Sequence, residues 1–203
     1  MLQNRVDPFG NLIATPYRGA WMGNRGLLHD ERQTITRQFR LKAWLICVLQ
    51  FKDRKRKVMS PGLYTELFFL DEATAFAAGH RPCGECRRED FNRFKTCFSR
   101  GNPGFGLDTK SSIRAIDDIL HRDRLDQMGN KLTYLEKINN VPNGSMLIFE
   151  GQCCLAAGNS LFPWSPSGYG LPLKLPRVGE FIMLTPRSTV NAFRAGYIPQ
   201  MAL

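Results

Sequence analysis

The pair Cys83-Gly84-Glu85-Cys86 constrains this chain more than any other feature. Cysteines two residues apart form a knuckle whose thiolates converge on one metal ion, and Gly84 lets the backbone turn tightly between them. A redox pair is the competing reading of C-x-x-C, but such a pair follows a strand and opens a helix. Here Asp71 precedes EATAFAA, then Gly79 and Pro82. That order spells an N-cap, a short helix, a left-handed glycine C-cap and a proline stop. A knuckle behind a helix and a His-Arg-Pro turn fits a metal better than a redox couple. The chain has six cysteines in 203 residues and starts on MLQNRVDPFGNL, which carries no export signal. Reduced thiols or metal ligands are therefore expected rather than disulfides, and the cytoplasm is the expected compartment.

Around the knuckle the sequence alternates strand and helix signals. Lys42 to Phe51, KAWLICVLQF, reads as a buried strand with Trp44, Ile46 and Val48 on one face and Leu45, Cys47 and Leu49 on the other. Val58 to Phe69 supplies one or two more strands. Arg87 to Phe98 is helical, with Phe91, Phe94 and Phe98 as a buried stripe, and Gly101 to Gly106 is a linker. Ser111 or Ser112 caps a third helix that carries Ile113, Ile116 and Leu120 and runs to about Met128. Beyond Gly129 the strand-like pieces are SMLIFE at 145, QCCLAA at 152 and EFIMLT at 180. They are followed by a helix with Thr185 as cap and Pro186 as first residue. The expected architecture is α+β: a strand–helix–CxxC–helix module at about 45–98 within a region 1–137, then a β-rich subdomain 138–203. AFAAGHRP at 75–82 echoes AFRAGYIP at 192–199, through either duplication or two uses of one capping pattern.

Twenty-eight basic against eighteen acidic residues give a net charge of +10, which favours a polyanionic partner. The 66 residues from Ile138 onward hold only four basic and two acidic side chains, so +8 of the +10 lies before them. No apolar run approaches the roughly 18 to 20 residues of a membrane-spanning helix, so no membrane role is expected. GxSxG, Walker, GxGxxG and HExxH motifs are absent, which removes common hydrolases, nucleotide-binding enzymes and zincins. Vicinal Cys153 and Cys154 point to opposite faces of a strand, as buried filler.

LDEATAFAAGHRPCGECRREDF resembles the second half of the zinc-binding domain of Ada-type adaptive-response proteins, which bind DNA and repair methylated phosphates. In that family a strand leads into a short helix ending in Ala-Gly, then an aromatic residue, Arg-Pro-Cys and a CxxC. This chain supplies Ala77-Ala78-Gly79, His80 in the aromatic position, Arg81-Pro82-Cys83 and Cys86. The resemblance implies a zinc cofactor, DNA as partner and an upstream cysteine brought onto the knuckle. The family's upstream CxxxC is broken here: Cys47 is followed by Val48, Leu49, Gln50 and Phe51, so the nucleophile role is not carried over to it. A zinc site would use Cys47, Cys83 and Cys86, with His80, His29 or Cys97 as fourth ligand. Cys97 is the poorest of these, about 16 Å along a helix from Cys86 at 1.5 Å per residue. An Ada-like shape without metal, with Cys47 as a small core residue, is the alternative.

The basic stretch Lys52, Arg54, Lys55, Arg56 and Lys57, interrupted by Asp53, together with Arg81, Arg87 and Arg88 beside the knuckle, is expected to face phosphates. Tyr17, Trp21 and Tyr64 are stacking candidates. His29-Asp30-Glu31 and the pair Asp117 and His121 are weaker metal signals. The leading expectation is a nucleic-acid-binding protein. A DNA repair enzyme or nuclease, with its catalytic residues unassigned, and a metal-free protein-binding scaffold are the alternatives.

Overall fold

The computed structural model describes residues 1–53 and 57–203 and has an α+β architecture of two sheets and four α-helices among them. The first sheet comprises β1 (Arg5–Val6), β2 (Leu12–Ile13), β3 (Trp21–Asn24), β4 (Leu45–Cys47), β5 (Leu67–Phe69) and β6 (Arg81–Pro82), in the order β2-β1-β5-β3-β4-β6. Three of its neighbour pairs are antiparallel, whereas β1 and β5 run parallel and so do β4 and β6, with Leu45 opposite Arg81 and Ile46 opposite Pro82. The helices are α1 (Glu72–Ala77), α2 (Arg88–Gly101), α3 (Ile113–Arg124) and α4 (Arg187–Arg194). They cover the sheet with one core, in which Ile46, Leu67 and Phe69 meet Phe76, Phe94, Phe98, Ile116, Leu120 and Phe193.

Several elements are shorter than their sequence signals. The apolar run 42–51 pairs only over β4, because Trp44 and Ile46 reach the core whereas Leu49 is 52% exposed. Asp71 caps α1 as expected, accepting from the Thr74 N–H at 2.8 Å. Of the α2 stripe, Phe94 and Phe98 are buried and Phe91 is half-buried. Ser112 caps α3, but the helix stops at Arg124, four residues before Met128. The Asp126 carboxylate accepts from the Met128 and Asn130 N–H groups and turns the chain there. At α4 the cap is Pro186 rather than Thr185, whose hydroxyl instead accepts from the Met146 N–H at 2.9 Å. The Ser188 N–H, a donor left over by the helix start, finds the Asp123 carboxylate at 2.6 Å.

The echo between 75–82 and 192–199 is one C-cap built twice. Gly79 and Gly196 have φ of 88° and 105°, a region that costs L-residues with a side chain. In the first copy the N–H of Gly79 donates to Phe76 and that of His80 to Ala75; in the second, Gly196 donates to Phe193 and Tyr197 to Ala192. These are the paired bonds of the Schellman motif. The two motifs meet in the core, where the Phe76 and Phe193 rings cross edge to face at 5.2 Å. Gly101 lets α2 approach α4 closely, since a Cβ there would run into the Asn191 carbonyl.

The second sheet is built from β7 (Tyr134–Lys137), β8 (Met146–Phe149), β9 (Gln152–Ala157), β10 (Ser160–Ser165), β11 (Gly168–Tyr169), β12 (Leu173–Lys174) and β13 (Glu180–Met183). Its order is β11-β10-β9-β8-β13-β7, with β12 also on β10. β7, which lies before the expected boundary at 138, pairs with β13 of this sheet. Cys154 and Cys153 are buried on opposite faces of β9, one in each of two clusters. Asp71 ties the sheet to α1: besides capping, its carboxylate accepts from Tyr169 Oη at 2.8 Å and the Ala202 N–H at 3.1 Å. No helix among the described residues is long and apolar enough to cross a membrane.

Candidate metal centre

The parallel pairing of β4 and β6 puts Cys47 and Cys83 at the ends of adjacent strands. The ladder continues one step past β6, where the Cys83 N–H donates to the Ile46 carbonyl at 2.9 Å. The Arg87 N–H then donates to the Cys83 carbonyl at 3.1 Å, closing the turn that brings Cys86 back onto Cys83. The sulfurs of Cys47, Cys83 and Cys86 all lie within 4.8 Å of one another. Ligands of one tetrahedral zinc at about 2.3 Å would be roughly 3.8 Å apart, so little movement separates this geometry from a metal-bound one. The expectation that Cys47 lies beside the knuckle is met.

The three sulfurs share one favourable site for negative charge. Hydrogen bonds from the Cys47 and Cys86 thiols, together with the Glu85 and Cys86 N–H groups, hold the Cys83 thiol far below its ordinary range. The Glu85 N–H lies 3.4 Å from Cys83 Sγ. Cys47 is pushed strongly up by its bonds to Cys83 and Cys86 and by burial. Without a cation, negative charge is favoured at Cys83 and disfavoured at Cys47 and at the half-buried Cys86. A soft divalent ion deprotonates coordinating thiols outright, and a set of three sulfurs suits zinc well.

The expected fourth ligands are elsewhere. His80 is not part of the three-sulfur cluster. It is fully buried between Phe69 and Trp44, whose rings are 4.6 and 5.1 Å away, and its Nε2 accepts from Arg25 Nε at 3.1 Å. Burial and then the Arg25 charge hold its pKa well below the usual imidazole value. His29 is 2.6 Å from the Thr65 hydroxyl and 3.3 Å from the Ser60 carbonyl, and Cys97 is in the core beside Phe94 and Phe98. Among the described residues only the three cysteines form such a cluster. All three line a cavity of about 320 Å³, whose walls include Met22, Asn24, Tyr64 and Phe68.

The basic residues divide sharply. Lys52, Lys57 and Arg88 are exposed. Arg54, Lys55 and Arg56 lie outside the described residues. Arg81 and Arg87, expected to face phosphates, are buried and bound to carboxylates instead. Arg81 makes a two-pronged ion pair with Asp117, Nε to Oδ1 and Nη2 to Oδ2 both at 2.7 Å. Arg87 contacts Glu72 and Asp90, each at 2.7 Å, and its guanidinium covers the Trp21 ring at 4.0 Å. Burial in a β-strand and a helix start, next to carboxylates from other elements, removes both from solvent. Asp117 is thereby taken from His121, whose Nδ1 lies 2.9 Å from Arg124 Nη2. Of the stacking candidates, Trp21 is held by Arg87 and Gln200, Tyr64 lines the cavity, and Tyr17 is 49% exposed. No protein-family model, curated protein or solved structure matches this chain.

Proposed function

We propose that this is a zinc-binding, nucleic-acid-binding protein whose metal is held by Cys47, Cys83 and Cys86. The observation that carries the reading is the meeting of three thiols, from two strands and a turn, within 4.8 Å. Zinc there would supply folding free energy, since the ligands do not converge in an unfolded chain. Three protein sulfurs leave a fourth position to a non-protein ligand or a cavity group. The nucleic-acid reading is supported by the exposed Lys52, Lys57 and Arg88 and by the location of the charge before residue 138. Phe51 and Val58, which bracket the basic stretch, both line the cavity beside the sulfurs. DNA is the partner that the resemblance of the knuckle to Ada-type domains implies.

Metal analysis of the purified protein is the test: one zinc per chain in the wild type, lost in Cys83→Ser together with thermal stability. No metal in the wild type, or full zinc in the variant, overturns the metal reading. The polyanion reading is tested by the salt dependence of duplex DNA binding. Changing Lys52, Lys57 and Arg88 to Ala lowers the slope of log K against log salt by about 2.7, at roughly 0.9 per phosphate contact. An unchanged slope removes these residues from the interface. A second reading, an enzyme acting on nucleic acid at the same site, is favoured by the cavity onto which all three cysteines open, because purely structural zinc sites are closed. Strand cleavage or group transfer by the zinc-loaded protein would select it over binding alone.

A further inference from the structure

A second cavity, of about 380 Å³, opens where the β1–β2 turn, the start of β4 and the end of α3 meet. Three cationic side chains line it: Arg25, Arg124 and Lys131. Both arginines are buried, at 0% and 1% exposure, and both guanidinium carbons sit 3.9 Å from the Trp44 ring. Their hydrogen bonds go to neutral groups. Arg25 donates to His80 Nε2 and the Gly10 carbonyl, and Arg124 to the carbonyls of Gly79 and Lys42. Lys131 Nζ donates to the Ala77 carbonyl. Arg25 Nη2 and Arg124 Nε are buried with no hydrogen-bond partner among the described residues.

The charges are as unbalanced as the hydrogen bonds. None of the three cations forms an ion pair within 4.0 Å among the described residues. Asp117 is already held two-pronged by Arg81. Asp7 is the acidic group whose field reaches Arg25 and Lys131, and its carboxylate is engaged by Asn11. Burial lowers the pKa of all three cations; repulsion from Arg124 adds to it at Arg25, and repulsion from Arg25 and Arg124 at Lys131, while at Arg124 the Arg81 charge adds and Asp117 opposes. Uncompensated buried charge is costly, and chains keep it where something neutralises it.

We propose that this cavity binds a phosphomonoester. Such a group carries about −1.5 to −2 charge at neutral pH and three acceptor oxygens, which matches two guanidinium forks and an ammonium whose influencing carboxylates, Asp7 and Asp117, are already engaged by Asn11 and Arg81. A carboxylate, with a single charge and two oxygens, would leave part of the excess unmet. Arg is the residue suited to this work because its planar fork stays charged when desolvated and stacks on aromatic rings, as both do here on Trp44. Phe9, 40% exposed, and the exposed Gln38 stand at the cavity wall, an apolar face and an amide for the ester's organic part. The site is separate from the three cysteines, none of which lines it.

Calorimetric titration of the full-length protein with inorganic phosphate, adenosine monophosphate, and a short single-stranded oligonucleotide bearing either a 5′-phosphate or a 5′-hydroxyl tests this. One-to-one binding of adenosine monophosphate or of the 5′-phosphorylated strand supports the proposal, and which of the two binds tells a free metabolite from a strand end. Arg25→Met and Arg124→Met each weaken that binding on the order of tenfold or more, while Lys174→Met, at an exposed position of β12 away from the cavity, leaves it unchanged. Lys131→Met, at a partly exposed position, serves as the third variant should either arginine change prevent folding, and it weakens binding as well. No saturable binding of either monoester at millimolar concentration overturns the proposal. So does binding of phosphate alone, equal binding of the 5′-hydroxyl strand, or full affinity in the folded variants.

Discussion

Asp117→Ala strips a buried guanidinium of its partner, and the cost follows from the geometry. The Arg81 and Asp117 side chains are 5% and 8% exposed and share two 2.7 Å contacts, so neither charge reaches water in the folded state. Removing one member of such a pair leaves the other desolvated and unpaired, at about 3 to 5 kcal/mol. Among the described residues Arg81 keeps the Pro82 carbonyl at 3.0 Å and the face of Phe91 at 5.5 Å, neither of which carries charge. For a chain of this size that cost lowers Tm by roughly 6 to 20 °C. The double variant Arg81→Met with Asp117→Leu, which removes both charges at similar volume, recovers most of the loss, since buried pairs contribute little against well-packed apolar replacements. Urea denaturation of wild type, both single variants and the double variant completes the cycle. A single-variant cost under about 1 kcal/mol, or a double variant as unstable as the sum, refutes the burial argument. The same experiment separates structure from binding: if Arg81 serves Asp117 rather than phosphate, the folded double variant binds DNA with the wild-type salt slope.

Asp71→Ala removes a helix cap and the acceptor for Tyr169 and Ala202, a loss of about 3 kcal/mol by urea denaturation, whereas a cost confined to about 1 kcal/mol would reduce its role to capping. Gly79→Ala combines a φ of 88° with a clash against the Arg124 side chain and costs more than about 1 kcal/mol; a neutral outcome in thermal melts contradicts the Schellman geometry. Lys131 has its pKa lowered from 10.5 to about 7 by burial and the Arg25 charge, with Asp7, Cys153 and Arg124 also facing it. The unfolded chain therefore holds this proton more tightly. The destabilisation is complete below pH 7 and is relieved as pH rises toward 10.5. Lys131→Met is accordingly most stable relative to wild type near pH 7, and the gap narrows toward pH 10; a gap independent of pH removes the linkage.

The elements that were legible in the sequence are those decided by residues within about five positions of one another. Asp71 and Gly79 mark both ends of α1, Phe94 and Phe98 mark its neighbour's buried face, and the alternation in QCCLAA assigns Cys153 and Cys154 to opposite faces. Caps, periodicity and positive φ are local physics. The convergence of Cys47 on the CxxC needed the parallel β4–β6 register, which the resemblance to a known knuckle anticipated and local pattern does not encode. The roles of the cations were beyond sequence altogether. Arg81 and Arg87 sit beside the knuckle in sequence exactly as Arg88 does, yet the first two are buried against Asp117 and Glu72 while Arg88 is exposed. Arg25, Arg124 and Lys131 carry no local signal and become a site because three distant segments pack around Trp44. A charged side chain's free energy depends on how much water and which counter-charges surround it, and both are set by chain segments far away in sequence.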